Sequence, residues 1–159
     1  MRILYLDDDQ DAIEVFVSGL TQVYKSDFEV FPVTDLISFD EILYDGRQHF
    51  DGIVMDLGIS DPIDIPLEAY EEWLLKIGIS YPTFLMGNIS VLGWDYYSKV
   101  MRNRAQTKNR LDTVLLKTGY ADLLLAEYGK NCYAPATLLK KGDEEYDLIL
   151  DRYLKKLEK

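Results

Sequence analysis

The chain has 159 residues, 48% hydrophobic and 28% charged, with a formal net charge of −11. That length suits one domain, residues 1–159, with a core of ordinary size, and no apolar run approaches the roughly 18 residues that would suggest a membrane span. The negative charge opposes general attraction to nucleic acid or anionic membrane, because their phosphates would be repelled.

Other global features narrow the setting. The opening Met1-Arg2-Ile3-Leu4-Tyr5-Leu6-Asp7 is too short and too acidic for a signal peptide. Cys132 is the single cysteine, so no internal disulfide is available and a reducing cytoplasm is expected. Lys99, Arg102, Arg104, Lys108 and Arg110 reverse the sign of the charge locally, and read as a solvated helix face and loop. His49 has no second histidine or acid at ligand spacing.

Ile3-Leu4-Tyr5-Leu6 is continuously apolar, as a strand buried on both faces of a parallel sheet must be, and should be the central strand. Ile13, Phe16, Val17, Leu20 and Val23 then recur at steps of three and four, which predicts a helix. A second strand is expected at Phe28 to Val33, where Pro32 favours an edge position. Ser38 and Glu41 have capping-box spacing, with Ile42 and Leu43 on the apolar side of a short helix. Gly52 to Met55 should form the third strand, Thr113 to Leu116 the fourth and Ala136 to Leu139 the fifth. The last helix places Tyr146, Ile149, Tyr153 and Leu157 on one face, with Lys155, Lys156 and Lys159 near its end, where cations suit the dipole. This alternation predicts a doubly wound α/β fold with a five-stranded parallel sheet and right-handed crossovers.

One stretch breaks the pattern. About 60 residues separate Asp56 from Thr118, roughly double what one helix and two short loops require. An insertion from about Ser60 to Leu92 is implied, between the third strand and its crossover helix. Asp64, Pro66 and the spaced Tyr70, Trp73, Leu74 and Ile77 predict an added helix stopped by Gly78, its aromatics forming a private core. Leaving the chain just after the Asp56 strand, it is expected to fold over that end of the sheet. The crossover helix should resume at Trp94-Asp95-Tyr96-Tyr97, with Val100 and Met101 facing inward.

Three strands end in reactive groups: Asp7, Asp8 and Asp9 after the first, Asp56 after the third, Thr118 after the fourth. Carboxyl ends of parallel strands border the ligand crevice of open α/β sheets, so these groups can converge. Lys140 and Lys141 follow the apolar Leu138-Leu139. Three acids, a hydroxyl and an ammonium suit phosphoryl transfer to a carboxylate. A phosphoryl group approaches a carboxylate only with a cation between them, and Mg²⁺ takes one or two carboxylates, several waters and the phosphate itself. Asp7, Asp8 and Asp56 could supply oxygens, with the main-chain carbonyl of Gly58 beside them. In-line attack by Asp56 would give an acyl phosphate. Mg²⁺, the Thr118 hydroxyl and a lysine ammonium would then compensate the three equatorial oxygens.

On Ile3-Leu4-Tyr5-Leu6-Asp7-Asp8-Asp9, Phe50-Asp51-Gly52-Ile53-Val54-Met55-Asp56-Leu57-Gly58, Leu116-Lys117-Thr118-Gly119-Tyr120-Ala121-Asp122 and Leu138-Leu139-Lys140, the chain resembles the receiver domain of two-component response regulators. The resemblance covers nearly the whole chain apart from the insertion. It implies a flavodoxin-like receiver fold with strand order 2-1-3-4-5, a phosphoacceptor at Asp56, a metal site at Asp7, Asp8, Asp56 and Gly58 for Mg²⁺ (or Mn²⁺), a switch hydroxyl at Thr118 and an active-site lysine at Lys140. It implies a signalling protein rather than an enzyme, with no more than self-phosphorylation and autodephosphorylation. Its partners would be a histidine kinase or phosphotransfer protein and a downstream protein target, with homodimerisation left open.

The chain departs from the receiver pattern in two places. The aromatic residue that receivers carry three positions before the lysine is Thr137, and no proline follows Lys140, which makes Lys141 the alternative. Spacing from Thr118 favours Lys140. A rival alignment with Tyr81 to Gly87 as the fourth strand puts Met86 in place of the hydroxyl and is rejected. Two other functions compete: a pseudo-receiver adaptor that works without phosphorylation, and a phosphatase resembling the haloacid dehalogenases with Asp7 as nucleophile and Asp9 as acid/base. The second would leave Asp56 without a role.

Overall fold

The apolar run at the start of the chain is β1 (Arg2–Leu6), and the acids that follow it lead into α1 (Gln10–Tyr24). The structure, a computed structural model, describes residues 1–24, 28–80, 84–85, 89–104, 107 and 110–159. After α1 come β2 (Glu29–Val33), α2 (Leu36–Tyr44) and β3 (Gly52–Asp56). The insertion contributes α3 (Leu67–Lys76) and a separate antiparallel pair, β4 (Phe84–Leu85) with β5 (Ile89–Ser90). Then follow α4 (Leu92–Asp95), β6 (Val114–Thr118), α5 (Ala121–Tyr128), β7 (Thr137–Lys140) and α6 (Tyr146–Leu157).

The main sheet has the order β2-β1-β3-β6-β7, every pair parallel. Counting its own strands, that is 2-1-3-4-5, the flavodoxin-like arrangement that the receiver resemblance implies. Pro32 lies on the edge strand β2, where its missing donor is tolerated.

Strand alternation divides the core into two layers. Ile3, Tyr5, Val54, Leu115 and Leu139 face Phe16 and Leu20 of α1 and Leu150, Tyr153 and Leu154 of α6. Leu4, Leu6, Ile53, Met55, Val114 and Leu116 face the other way, against Phe39, Tyr96, Tyr97 and Leu124. Two close approaches fix the layers. At Gly52 a Cβ would stand 2.5 Å from Leu157 Cδ1, so α6 crosses close over the start of β3 and a larger residue there would displace the Leu157 side chain. The Tyr153 hydroxyl donates within the same crossing, 2.7 Å from the Thr113 carbonyl and 3.1 Å from that of Ile53.

Several local expectations are corrected. Ser38 does not cap α2: Asp35, three residues earlier, accepts from Ser38 N at 2.8 Å, and the helix starts at Leu36. Asp35 stands directly before Leu36, the first residue of the helix, where a capping oxygen reaches the free amides of the first turn. The fourth and fifth strands run past their expected ends, to Thr118 and Lys140. The crossover helix has α geometry only over Leu92–Asp95 and continues as a π-helix, Tyr96–Met101, although Val100 and Met101 are buried as expected.

Among the described residues the insertion has no private core. Tyr70, Leu74 and Ile79 are buried in the same layer as Leu57, Phe39 and Tyr97, and Trp73 packs against it. Its helix ends at Lys76 and is capped by Ile77, with Gly78 at φ +92°, a conformation that favours glycine. Within the rival strand, Phe84–Leu85 pairs with Ile89–Ser90 outside the main sheet; Tyr81 to Thr83, Met86 and Gly87 lie outside the described residues.

The basic run is not a solvated face either. Arg102 donates to the carbonyls of Cys132 and Ala134, Arg104 pairs with Asp40 at 2.8 Å, and Arg110 donates to the Phe50 carbonyl. Lys99 pairs with Asp95 at 3.1 Å, and Lys108 lies outside the described residues. These cations tie the segment after α4 to its neighbours. Among the described residues no helix is long and apolar enough to cross a membrane.

Candidate functional site

Strand alternation decides which strand-end residues meet. Asp7 follows Tyr5 by two residues, Asp56 follows Val54, Lys117 follows Leu115 and Lys141 follows Leu139. All four therefore continue the face that α1 and α6 cover. The registers Leu6 with Met55, Asp56 with Lys117 and Thr118 with Lys140 bring those ends to one height.

Asp7 is fully buried and both of its oxygens are engaged. The Tyr5 hydroxyl donates to Oδ2 at 2.6 Å, the Lys117 ammonium lies 3.0 Å from the same oxygen, and Asp9 N donates to Oδ1 at 3.1 Å. Lys117 also donates to the Tyr5 hydroxyl, and its ammonium lies 4.8 Å from the Tyr5 ring centre and 5.9 Å from that of Phe16. Burial pushes the Asp7 carboxyl up, but the Tyr5 hydrogen bond and the Lys117 charge outweigh it and hold the group below the usual carboxylate range. Burial, and then the bond to Asp7, push the Tyr5 phenol well above its ordinary value. Removing one partner from such a buried pair costs about 3–5 kcal/mol, because the other charge is left uncompensated.

Asp56 is almost as deep, at 6% exposure. Gly58 N donates to its Oδ1 at 3.2 Å, and the Lys141 ammonium meets Oδ2 at 2.5 Å. Burial draws the Lys141 pKa down, but the hydrogen bond and charge of Asp56 override this and raise it.

The pairing expected of Lys140 thus belongs to Lys141. Lys140, two residues after Leu138, continues the opposite face of β7 and meets Asp122 of α5 at 2.5 Å. Thr118 is 3% exposed at the end of β6; its hydroxyl accepts from Tyr120 N at 3.0 Å, and its carbonyl accepts from Lys141 N at 2.8 Å. Asp8 is exposed and accepts from Ser60 N at 3.0 Å, which anchors the start of the insertion beside the acids. Asp9 caps α1, accepting from Asp11 N at 3.0 Å and Ala12 N at 3.3 Å.

Oxygens of Asp7, Asp8 and Asp56 all lie within 4.8 Å of one another. Three carboxylates so close repel one another unless cations intervene, and hard oxygen donors of this kind fit Mg²⁺ or Mn²⁺. Lys117 was missed in the sequence. Its signal was a lysine inside the apolar run Val114-Leu115-Leu116, since lysine is almost never fully buried without a partner.

No protein-family model matches this chain, and neither does any curated protein sequence. Among solved structures it is similar to the crystal structure of a sensor protein from Polaromonas sp. JS666, at a TM-score of 0.57 and 18% identity, covering 98% of this chain and 97% of that one. At that identity the likeness is one of fold.

Proposed function

We propose that this chain is a receiver-type signalling protein that accepts a phosphoryl group on Asp56. One observation carries the reading: at the carboxyl end of a parallel sheet, Asp56 is grouped with Asp7 and Asp8 and already holds an ammonium, that of Lys141, on one oxygen. An oxygen of Asp56 attacks the phosphorus of a phosphohistidine or a small acyl phosphate, the O–P bond forming as the bond to the leaving nitrogen or oxygen breaks. Asp8 and Asp56, with Asp7 and the Gly58 carbonyl close by, would hold Mg²⁺ or Mn²⁺, which supplies charge compensation for the phosphoryl oxygens. Lys141 passes from the carboxylate to a phosphoryl oxygen, and the Thr118 hydroxyl serves another.

The readout is a change in affinity for a protein partner, biased by the new charge at Asp56. The residue three positions before Lys141 is Leu138, again not aromatic, so aromatic gating has no place in this scheme. Intact mass after incubation with acetyl phosphate and Mg²⁺ tests the proposal. The wild type should gain one phosphoryl mass and Asp56→Asn none; equal gain in both would place the phosphate elsewhere.

A further inference from the structure

The acidic cluster holds two ammonium groups, and only that of Lys141 has a part in the scheme above. Lys117 is 4% exposed and enclosed by Tyr5, Phe16 and Asp7. It engages the carboxylate oxygen that Tyr5 also binds, while Asp9 N takes the other. By contrast Asp8 is exposed, with Ser60 N on one oxygen. The three carboxylates carry three negative charges and the two lysines return two positive ones.

We propose that Lys117 is an internal counter-cation: it holds Asp7 out of the metal's coordination and weakens divalent-cation binding, which then falls to Asp8 and Asp56. The inference rests on reading Asp7, Asp8 and Asp56 as a cation site. A divalent ion that used Asp7 would have to share an oxygen with an ammonium, and the two positive charges would repel at close range in a site shielded from water. Tyr5 reinforces the arrangement, because its hydroxyl receives from Lys117 and donates to Asp7, closing a ring of three groups. A purely structural ion pair would support the fold and leave metal affinity as it is.

Calorimetric titration with Mg²⁺ and Mn²⁺ separates these roles, using wild type, Lys117→Met and the double variant Asp7→Asn/Lys117→Met. Lys117→Met should bind Mg²⁺ at least about tenfold more tightly than wild type, the scale on which groups behind a metal ligand act. The double variant removes both charges of the pair and should bind within about threefold of wild type, as expected when neither residue touches the metal. Unchanged or weaker binding by Lys117→Met overturns the proposal. So does a loss of about tenfold in the double variant, which would make Asp7 a direct ligand despite Lys117. Should Lys117→Met not fold, the double variant, with no unpaired buried charge, decides alone by the same two outcomes. Failure of the receiver reading shows separately, as no mass gain with acetyl phosphate in wild type.

Discussion

Gly93 lies directly behind Asp56: a Cβ on Gly93 would stand 2.3 Å from the main-chain oxygen of Asp56 and 2.8 Å from Leu57 Cα. Gly93 N also donates to the Leu57 carbonyl at 3.2 Å. The first turn of α4 therefore presses backbone against backbone on the strand end that carries the candidate phosphoacceptor. Because backbone cannot swing aside as a side chain can, Gly93→Ala should cost about 1–3 kcal/mol or more. Gly19, within α1 with nothing inside 4 Å, should respond with the opposite sign. Gly19→Ala is expected to stabilise by about 0.5–1 kcal/mol. Urea midpoints of the two variants check both signs.

The two adjacent lysines should behave differently. Lys140 is paired only on the surface, and Lys140→Ala is expected to leave the denaturation midpoint close to that of wild type. Lys141 has its pKa raised by Asp56, so its contribution is complete below the unfolded value of about 10.4 and disappears as pH rises through the higher folded value. Thermal melts across the alkaline range should show a loss of stability in wild type that Lys141→Ala lacks. An equal loss in both would assign the alkaline transition to other groups.

Acid should act through Asp7. Its folded pKa is depressed, so its stabilisation is complete above the unfolded value of about 3.9 and is lost as pH falls through the lower folded value. Asp7→Asn should be less stable than wild type at neutral pH, since Lys117 is left unpaired, and the gap should narrow as acid removes the wild-type advantage. Melting temperatures of both proteins from neutral pH down into the acid limb give the measurement.

Tyr153 joins α6 to β3, at Ile53, and to Thr113, just before β6, through one hydroxyl. Tyr153→Phe keeps the ring and leaves two buried carbonyls without that donor, for an expected loss of about 1–3 kcal/mol. A chemical denaturation curve with unchanged slope would locate the effect in the native state.

How far the sequence reveals this architecture depends on the range of the forces involved. Strand-end acids are legible because an apolar run ending in Asp7 or Asp56 reports burial and its limit within a few residues. The sheet order came with the family resemblance. The choice between Lys140 and Lys141 was not legible: it follows from which face β7 turns to α6, and a shift of one residue along a strand exchanges the faces. Asp35 could have been recognised as the cap, but Ser38 with Glu41 offered an equally good local pattern. Lys117 could not be given a role from the sequence, because its partners, Tyr5 and Asp7, come from the other end of the chain. The merger of Tyr70 and Leu74 with the main core is long-range in the same way, since the spacing of apolar residues on a helix does not say what they pack against.

That merger bears on how the molecule opens. Leu74 is fully buried and Ile79 N bonds its carbonyl at 2.9 Å, so α3 cannot lift away without exposing the layer that supports β3. The insertion and the sheet should then exchange amide hydrogens as one cooperative unit, with amides in the middle of α3 protected nearly as long as those of Val54 and Met55. Leu74→Ala, expected to cost about 2–5 kcal/mol, should speed exchange in both places together. Exchange that quickened in α3 alone would mean a helix able to detach from a sheet that stays closed.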